Sequence, residues 1–291
     1  MASDLQNSVV TPAEAQGISQ LRQSHFPVGT ESFGMPLDDA CLARYLRARS
    51  GDVAKAAAML SATLEWRREF GLPQVLKDEV NVIAKENSTG KVYVSGFDRQ
   101  GRPVLVMRPR EENTQDHDGN IKHIVYQMER ARAILQRLSG GYGKVCIMID
   151  YVGFSVRNAS PMKTNMKTLR ILQNHYPETL GVAYFVSPPF VFRSFWKVIY
   201  PFIDGDTKDK FCFVPGNAKG DAAQKEFSKN FDLDQLEEAF GGTYTTKFDS
   251  SLYIRAPMDQ DFRSALAAAS AGQTAPAAAP AALPPTVATS S

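Results

Sequence analysis

The sequence predicts an α/β fold in which a small N-terminal helical lobe precedes a mixed, largely parallel sheet of five strands. Two observations support this prediction. The runs "VCIMID" (145–150) and "GVAYFV" (181–186) are apolar throughout and of strand length, which is typical of parallel strands covered on both faces. The predicted elements follow the order αα, ββ, α, β, α, β, α, β, α, and this alternation favours parallel strands joined by crossover helices.

The helical lobe is predicted from "MPLDDACLARYLRARSGDVAKAAAMLSATLEWRREFGLP". Asp38 or Asp39 can cap a first short helix and Asp52 can cap a second, because a carboxylate accepts hydrogen bonds from the free N–H groups of the first turn. Gly71 is expected to end the second helix. The predicted buried stripe of that helix comprises Ala56, Met59, Thr63, Trp66 and Phe70, at spacings of three and four residues.

The sheet begins with a predicted β-hairpin, in which valines alternate on both sides of a turn containing Asp98 and Gly101. A long amphipathic helix follows and ends at "SGGYG". Its predicted apolar face comprises Ile121, Ile124, Val125, Met128, Leu135 and Leu138.

A second amphipathic helix is predicted between the two apolar strands. It starts at Ser160 and Pro161 and ends at Pro177. Its predicted buried stripe comprises Met162, Met166, Leu169 and Leu172. The run "FCFV" (211–214) supplies the fifth strand, and "DLDQLEEAFGG" predicts a further helix that ends at a glycine pair.

Composition divides the chain into four segments. We expect a flexible N-terminal segment over 1–34, the helical lobe over 35–75, the sheet domain over 76–250, and an extension over 251–291 that ends in a low-complexity Ala/Pro tail. Lys and Arg number 33 against 31 Asp and Glu, so the net charge of +2 does not favour nucleic acid as a partner. Three widely separated cysteines and the lack of a signal-like or long apolar stretch predict a cytoplasmic protein.

The motifs of common α/β enzymes are missing from the sequence. "GGYGK" precedes a strand and lacks the Ser or Thr of a phosphate loop, and no G-x-S-x-G elbow follows a strand. "QDHDGNIKH" could bring His117, Asp118 and His123 to a metal, but a solvated loop that runs into a helix is favoured. We therefore expect no catalytic residue, no metal and no cofactor. Two carboxylates that the fold brings together would form a site without a sequence motif.

The run "PPFVFRSFWKVIYPFID" (188–204) contains six aromatic side chains. Pro188 and Pro189 suit the start of a helix, and Pro201 suits its end. The broad apolar face of this helix comprises Phe192, Phe195, Trp196 and Ile199. From the residues alone, a wholly buried core helix is the simpler interpretation.

Four segments, taken in order, resemble the CRAL-TRIO family of lipid-binding and lipid-exchange proteins, and specifically its phosphatidylinositol transfer branch. They are "LARYLRAR" with "AAAMLSATLEWRR" downstream, "GFDRQGRPVLV", "IMIDYVGFS", and "HYPETLGVAYFVSPPFVFRSFWKVIYPFID" running into "TKDKF". The resemblance covers residues 36–247 and implies a helical N-lobe followed by a sheet that floors a hydrophobic pocket. It also implies that the aromatic helix is a lid, closed in solution and lying on the bilayer when open.

The resemblance further implies an inositol headgroup site beside this pocket. Glu178, in the Tyr-Pro-Glu turn, and Thr207 and Lys210 occupy the family's headgroup positions, and Arg49 aligns with an N-lobe arginine near the headgroup. Their chemistry suits a polyol phosphate, because a carboxylate accepts hydrogen bonds from ring hydroxyls and Lys210 supplies positive charge. Without the resemblance, a surface Glu and Lys after a helix end would be the simpler interpretation.

This chain departs from the branch at two places. Ser50 stands where members often have lysine, and Val145 and Ile147 replace the hydroxyl side chains that members use for phosphatidylcholine. Choline lipids are therefore not predicted, and the second ligand is expected to be a sterol or another hydrophobic lipid. The neighbouring Arg44 and Arg47 could equally form structural salt bridges.

The function implied is a carrier that binds one phosphatidylinositol at a time and exchanges it at membrane surfaces without breaking a covalent bond. Its expected partners are phosphatidylinositol, a second hydrophobic lipid and the membrane surface. Presentation of lipid to a lipid kinase is neither shown nor forbidden by the sequence. Two alternatives stay open: a carrier of a sterol, retinoid or tocopherol, and an α/β enzyme that acts on lipids.

Overall fold

The structure, a computed structural model, describes residues 10–77, 80–203 and 205–272. Its strands are β1 (Val92–Phe97), β2 (Pro103–Met107), β3 (Val145–Asp150), β4 (Leu180–Val186) and β5 (Phe211–Val214). They form one sheet in the order β1-β2-β3-β4-β5. The β1–β2 hairpin is antiparallel and the other three pairings are parallel, so the predicted mixed, largely parallel sheet of five strands is confirmed.

Helices precede and connect these strands. The helices before the sheet are α1 (Pro12–Ser24), α2 (Asp39–Arg47), α3 (Val53–Phe70), α4 (Leu72–Lys77) and α5 (Val80–Asn87). Those after β2 are α6 (His117–Ser139), α7 (Met162–His175), α8 (Phe192–Ile199), α9 (Gly205–Lys208), α10 (Asp221–Phe227), α11 (Ser250–Arg255) and α12 (Phe262–Ser270). The predicted caps are confirmed: Asp38 accepts from the Cys41 N–H, Asp52 accepts from the Lys55 N–H, and Gly71 ends α3 at a φ of 66°.

The N-terminal segment packs more tightly than the sequence predicts. We expected residues 1–34 to be flexible, but α1 begins at a capping box formed by Thr11 and Glu14 and buries Ile18 and Leu21 in the core of the lobe. Since only two large apolar side chains of α1 are buried, its apolar periodicity is too weak to stand out in the sequence. Residues 1–9 lie outside the described part of the chain.

The C-terminal segment also packs against the sheet domain. Tyr253 of α11 is wholly buried and its hydroxyl accepts a hydrogen bond from the Val94 N–H of β1, at 2.9 Å. Arg130 of α6 donates to the carbonyls of residues 253, 256, 257 and 260. α11 and α12 therefore contribute to the core of the sheet domain through Tyr253 and Phe262. The predicted low-complexity tail beyond residue 272 lies outside the described residues, and the division into four segments stays a prediction.

Two helical predictions are wrong in detail. "DLDQLEEAFGG" forms two single 3₁₀ turns, Leu233–Gln235 and Glu238–Phe240. The chain opens between them because Leu236 adopts an extended conformation and Glu237 forms a bridge with Tyr244. In α6, Leu138 is 51% exposed instead of facing the core, because it lies in the last turn of the helix.

The two faces of the sheet have different surroundings. One face, which includes Cys146 and Met148 of β3 and Tyr184 of β4, packs into a dense core with α10 and the C-terminal helices. The opposite face, which includes Ile147 and Ile149, points toward α7 and α8. The alternation of side chains along each strand assigns neighbouring residues to these two environments.

Candidate functional site

A cavity of about 810 Å³ lies over the second face of the sheet. Its floor includes Val145, Ile147, Ile149, Ala183 and Phe185. From α7 it is lined by Met162, Leu169 and Leu172, three of the four side chains of the predicted buried stripe. That prediction is wrong, because the apolar face of α7 borders a cavity and these side chains stay partly accessible. A cavity of this size, lined mainly by apolar side chains, is suited to a hydrophobic ligand.

The inner face of α8 closes one side of this cavity. The four predicted side chains of that face, Phe192, Phe195, Trp196 and Ile199, all line the cavity. Their rings contact the floor: Phe192 and Trp196 each lie 5.4 Å from Phe185 between ring centroids. Such aromatic contacts hold α8 against the sheet without filling the space behind it.

The outer face of α8 and its flanks is also apolar, but it is exposed. Phe190 is 82% exposed, and Val191, Val198, Tyr200 and Phe202 are between 44% and 54% exposed. The interpretation of this run as a wholly buried core helix is therefore wrong. A contiguous exposed apolar surface of this kind marks an interaction site.

Basic side chains accompany this exposed apolar surface. Arg193 and Lys197 of α8 are exposed, and the Arg193 guanidinium lies 5.3 Å from the centre of the Phe190 ring. The Lys208 ammonium lies 4.5 Å from the centre of the Tyr200 ring. The surface thus combines aromatic rings with positive charge, as surfaces that contact the membrane interface do.

The four residues predicted for the polar site all line the same cavity: Arg49, Glu178, Thr207 and Lys210. Glu178 occupies the turn between α7 and β4 at a φ of 54°, and the Lys144 Nζ lies 3.3 Å from its Oε2. Because non-glycine residues seldom adopt a positive φ, this turn is held in place by its surroundings.

Thr207 and Lys210 reach the cavity from the segment between α8 and β5. Thr207 belongs to α9, and its carbonyl accepts a hydrogen bond from the Lys210 N–H at 3.1 Å. The carbonyl of Lys210 in turn accepts from the Ala183 N–H of β4 at 2.8 Å, so the edge of the sheet fixes the position of Lys210.

Arg47 also lines the cavity, although the sequence left its role open. Its Nε donates to Glu14 Oε1 of α1 at 2.6 Å, and this hydrogen bond lowers the pKa of Glu14 to about 2. The charge of Glu178 also acts on Arg47. Arg47 therefore forms a structural salt bridge, which the sequence left open, and it also borders the cavity. Its partner Glu14 could not be identified from the sequence without knowing that α1 packs here.

A second polar cluster borders the cavity beside β1, and sequence reasoning missed it. Lys91, Glu112 and Asn120 line the cavity there. Lys91 forms ion pairs with Glu86 and with Glu112, and the Asn120 Nδ2 donates to Glu112 Oε2 at 2.7 Å. Lys91 and Glu86 are buried, so the ion pairs compensate charges that would otherwise be costly.

The histidines do not form a metal site within the described residues. His117 is exposed at the start of α6, whereas His123 is wholly buried and its Nε2 accepts hydrogen bonds from Asn87 and Gln127. Burial lowers the pKa of His123 to about 3, so the ring is neutral at physiological pH. No group of three metal-ligating side chains occurs in the described part of the chain.

None of the helices that the structure describes has the length and hydropathy needed to cross a bilayer.

Comparison with known proteins agrees with this architecture. The profile of the CRAL/TRIO domain matches residues 87–242, and that of the CRAL/TRIO N-terminal domain matches residues 19–62. The chain belongs to the CRAL/TRIO family. A crystal structure of Sfh5 superimposes with a TM-score of 0.62 at 19% identity, covering 91% of this chain and 98% of that one, so the two chains share a fold.

Among CRAL/TRIO relatives, the phosphatidylinositol transfer protein PDR17 of Saccharomyces cerevisiae is 30% identical over 242 residues, which cover 77% of this chain and 65% of that protein. The SEC14 cytosolic factor of Kluyveromyces lactis is 28% identical over 263 residues, covering 84% of this chain and 85% of that one. A CRAL-TRIO domain-containing protein of Schizosaccharomyces pombe is 32% identical over 213 residues, but the match spans only 20% of its length.

Proposed function

We propose that this CRAL/TRIO protein carries phosphatidylinositol in the cavity beneath α8 and exchanges it for another lipid at membrane surfaces. The observation that supports this most directly is that one apolar cavity of about 810 Å³ is bordered by all four side chains expected to bind the headgroup. The names of its relatives agree, since PDR17 is called a phosphatidylinositol transfer protein.

The energetics of lipid movement favour a carrier with a movable cover. Two acyl chains of about 16 carbons each would cost on the order of 25 kcal/mol to expose to water, at roughly 0.8 kcal/mol per methylene. The chains must therefore pass from bilayer to cavity without crossing water. One face of α8 lines the cavity and the other is exposed to solvent. Such a helix is suited to open against a membrane, where its outer aromatic rings would enter the interface.

Different polar side chains of the cavity would bind different parts of the headgroup. The Glu178 carboxylate can accept hydrogen bonds from inositol hydroxyls, and the Thr207 hydroxyl can bond either a hydroxyl or a phosphate oxygen. Lys210, Arg49 and Arg47 supply positive charge for the phosphodiester. Because every step is a binding or release step, the proposed activity needs no catalytic residue and no cofactor.

Lipid transfer between vesicles tests the headgroup assignment. Glu178→Gln and Lys210→Met should each lose most phosphatidylinositol transfer while the thermal midpoint stays close to that of the wild type. Glu238→Gln and Lys219→Met are matched controls, because these two residues form an exposed ion pair that does not line the cavity. Full transfer by both cavity variants would reject the assignment.

A second apolar ligand is the favoured exchange partner. The floor presents Val145 and Ile147 where hydroxyl side chains would be needed for a choline headgroup, so a sterol or another hydrophobic lipid fits better. Mass spectrometry of lipids extracted from the purified protein identifies both ligands. A sterol, retinoid or tocopherol without phosphatidylinositol would favour the alternative carrier. In that case Lys210→Met should leave binding of the apolar ligand unchanged.

The proposed setting is the cytoplasm, with transient association at membranes. Presentation of the bound lipid to a lipid kinase would be compatible with such a carrier. Turnover of a lipid ester by the purified protein would instead support the alternative of a lipid-acting enzyme.

A further inference from the structure

A second cavity, of about 390 Å³, lies between the helical lobe and the sheet domain. Its walls come from α2, α3 and α6 and from the turn that leads into β4. Tyr176, Pro177 and Thr179 of this turn line both cavities, so a single layer of residues separates them.

The second cavity is rich in arginine. Its charged lining residues are Arg44, Arg67, Arg132, Arg137, Glu129 and Asp259. Arg67 forms a two-bond pair with Glu129, at 2.8 and 3.0 Å, and Arg137 lies 3.4 Å from Asp259. Both carboxylates of the lining are thus paired with an arginine. Arg44 and Arg132 are the two arginines of the lining that are not bonded to either carboxylate.

Arg44 and Arg132 share a single acceptor. Both guanidinium groups donate to the carbonyl of Gly141, at 3.1 and 2.8 Å, and within the described residues neither forms an ion pair. The buried Nη1 of Arg132 has no hydrogen-bond partner in the described structure. The charges of Glu129 and Asp38 act on Arg132, but neither carboxylate bonds to it. Glu129 accepts from Arg67 and from the Tyr176 hydroxyl, and Asp38 accepts from the Cys41 N–H and the Gln136 amide.

Two cations on one carbonyl form an unbalanced arrangement. Burial, and then the charge of Arg44, lower the pKa of Arg132 to about 9, which still leaves it protonated at neutral pH. A buried cation without a counter-ion is unfavourable, and an unpaired buried donor calls for a partner such as a bound ion. Guanidinium groups match the oxygen geometry of phosphate particularly well.

We propose that this second cavity binds a small phosphate anion, either inorganic phosphate or the phosphate group of a soluble phosphomonoester, between Arg44 and Arg132. The anion would replace the missing counter-charge and accept the unpaired N–H groups. It would lie behind the turn that holds Glu178, on the opposite side from the lipid cavity. The site is distinct from the lipid headgroup site and does not depend on which lipid the protein carries.

Thermal unfolding of the full chain tests this proposal, with inorganic phosphate as the probe and sodium chloride at equal ionic strength as the reference. Phosphate should raise the midpoint of the wild type, because a ligand that binds only the folded state stabilises it. Arg44→Gln and Arg132→Gln should lose this shift and weaken phosphate binding about tenfold or more in calorimetry. In chloride the two variants should be as stable as the wild type or more stable, because one of two neighbouring like charges is removed.

Two further variants separate the outcomes. Arg68→Gln, which removes an exposed arginine of α3 that lines neither cavity, should keep the full phosphate shift. Lys210→Met, in the lipid cavity, should also keep it. Loss of the shift in Lys210→Met but not in Arg132→Gln would mean that phosphate binds in the lipid cavity, and it would overturn the proposal.

An equal shift in wild type, Arg44→Gln and Arg132→Gln, or no shift in the wild type, would overturn it as well. A parallel measurement with glucose-6-phosphate compares the shift of the thermal midpoint caused by a soluble phosphomonoester with the shift caused by inorganic phosphate. Lipid transfer, measured in parallel on Arg132→Gln, is expected to persist, so failure of the phosphate site and failure of the proposed lipid carrier give different results.

Discussion

The exposed rings beside α8 should set the strength of membrane association, and Phe190→Ser tests this directly. Phe190 is 82% exposed. A phenylalanine side chain offers on the order of 200 Å² of apolar surface, so roughly 160 Å² of Phe190 faces solvent. At about 25 cal/mol per Å², complete burial would contribute about 4 kcal/mol, and insertion to the headgroup boundary about half of that. A loss of about 2 kcal/mol corresponds to a roughly 30-fold weaker partition.

Flotation with vesicles that contain phosphatidylinositol measures this partition. The lipid concentration for half-maximal binding should rise roughly 30-fold for Phe190→Ser, and less for Phe202→Ser, which is 54% exposed. Val28→Ser is the matched control, because Val28 is 95% exposed in the loop between α1 and α2. If Phe190→Ser and Val28→Ser required the same lipid concentration, α8 and its flanks would not be the membrane-binding surface.

Three further predictions concern the cavity, the C-terminal segment and pH. Ile149→Trp should reduce the lipid that co-purifies while leaving the thermal midpoint nearly unchanged, because the larger side chain enters open cavity volume; lipid content equal to the wild type would contradict this. Arg130→Met should lower the free energy of unfolding in urea by about 3 kcal/mol, because four carbonyls of the C-terminal segment lose a charged donor. A loss below about 1 kcal/mol would show that these bonds are dispensable. Burial lowers the pKa of His175 from 6.5 to about 4, so its ring binds a proton more readily in the unfolded chain than in the folded one. The contribution of the neutral ring to the free energy of unfolding is therefore complete above pH 6.5 and is lost as the pH falls toward 4. Thermal midpoints across this range should fall less steeply for His175→Gln than for the wild type, and parallel curves would exclude His175 as a source of acid sensitivity.

The parallel strands and α8 could be predicted because their signals are local. Continuous apolar runs and flanking prolines appear in the sequence whatever the rest of the chain does. α1 and α11 could not be predicted in this way, since each depends on few buried anchors, such as Leu21 and Tyr253, whose partners are distant in sequence. Apolar spacing alone also suggested a helix at 232–242, but pairing of Glu237 with Tyr244 is a tertiary feature that opens the chain there.

Periodicity identifies an apolar face but not what covers it. The spacing predicts that the α7 stripe containing Leu169 and Leu172 is buried, but these side chains border the cavity. The four predicted polar-site residues were located through their resemblance to a family, since Glu178 and Lys210 have no distinctive local pattern. Lys91 and Glu112 were missed because their pairing joins residues 21 positions apart.

The alternation of side chains along β3 assigns two roles, packing the core and lining the cavity, to different residues. Cys146 and Met148 belong to the core on one face of the sheet, whereas Ile147 and Ile149 line the cavity on the other face. A substitution at Ile147 or Ile149 is therefore expected to change the lining of the cavity while the core on the other face of the sheet keeps its packing. Such a division would let related chains acquire new ligand preferences through single substitutions on the cavity face, without repacking the core.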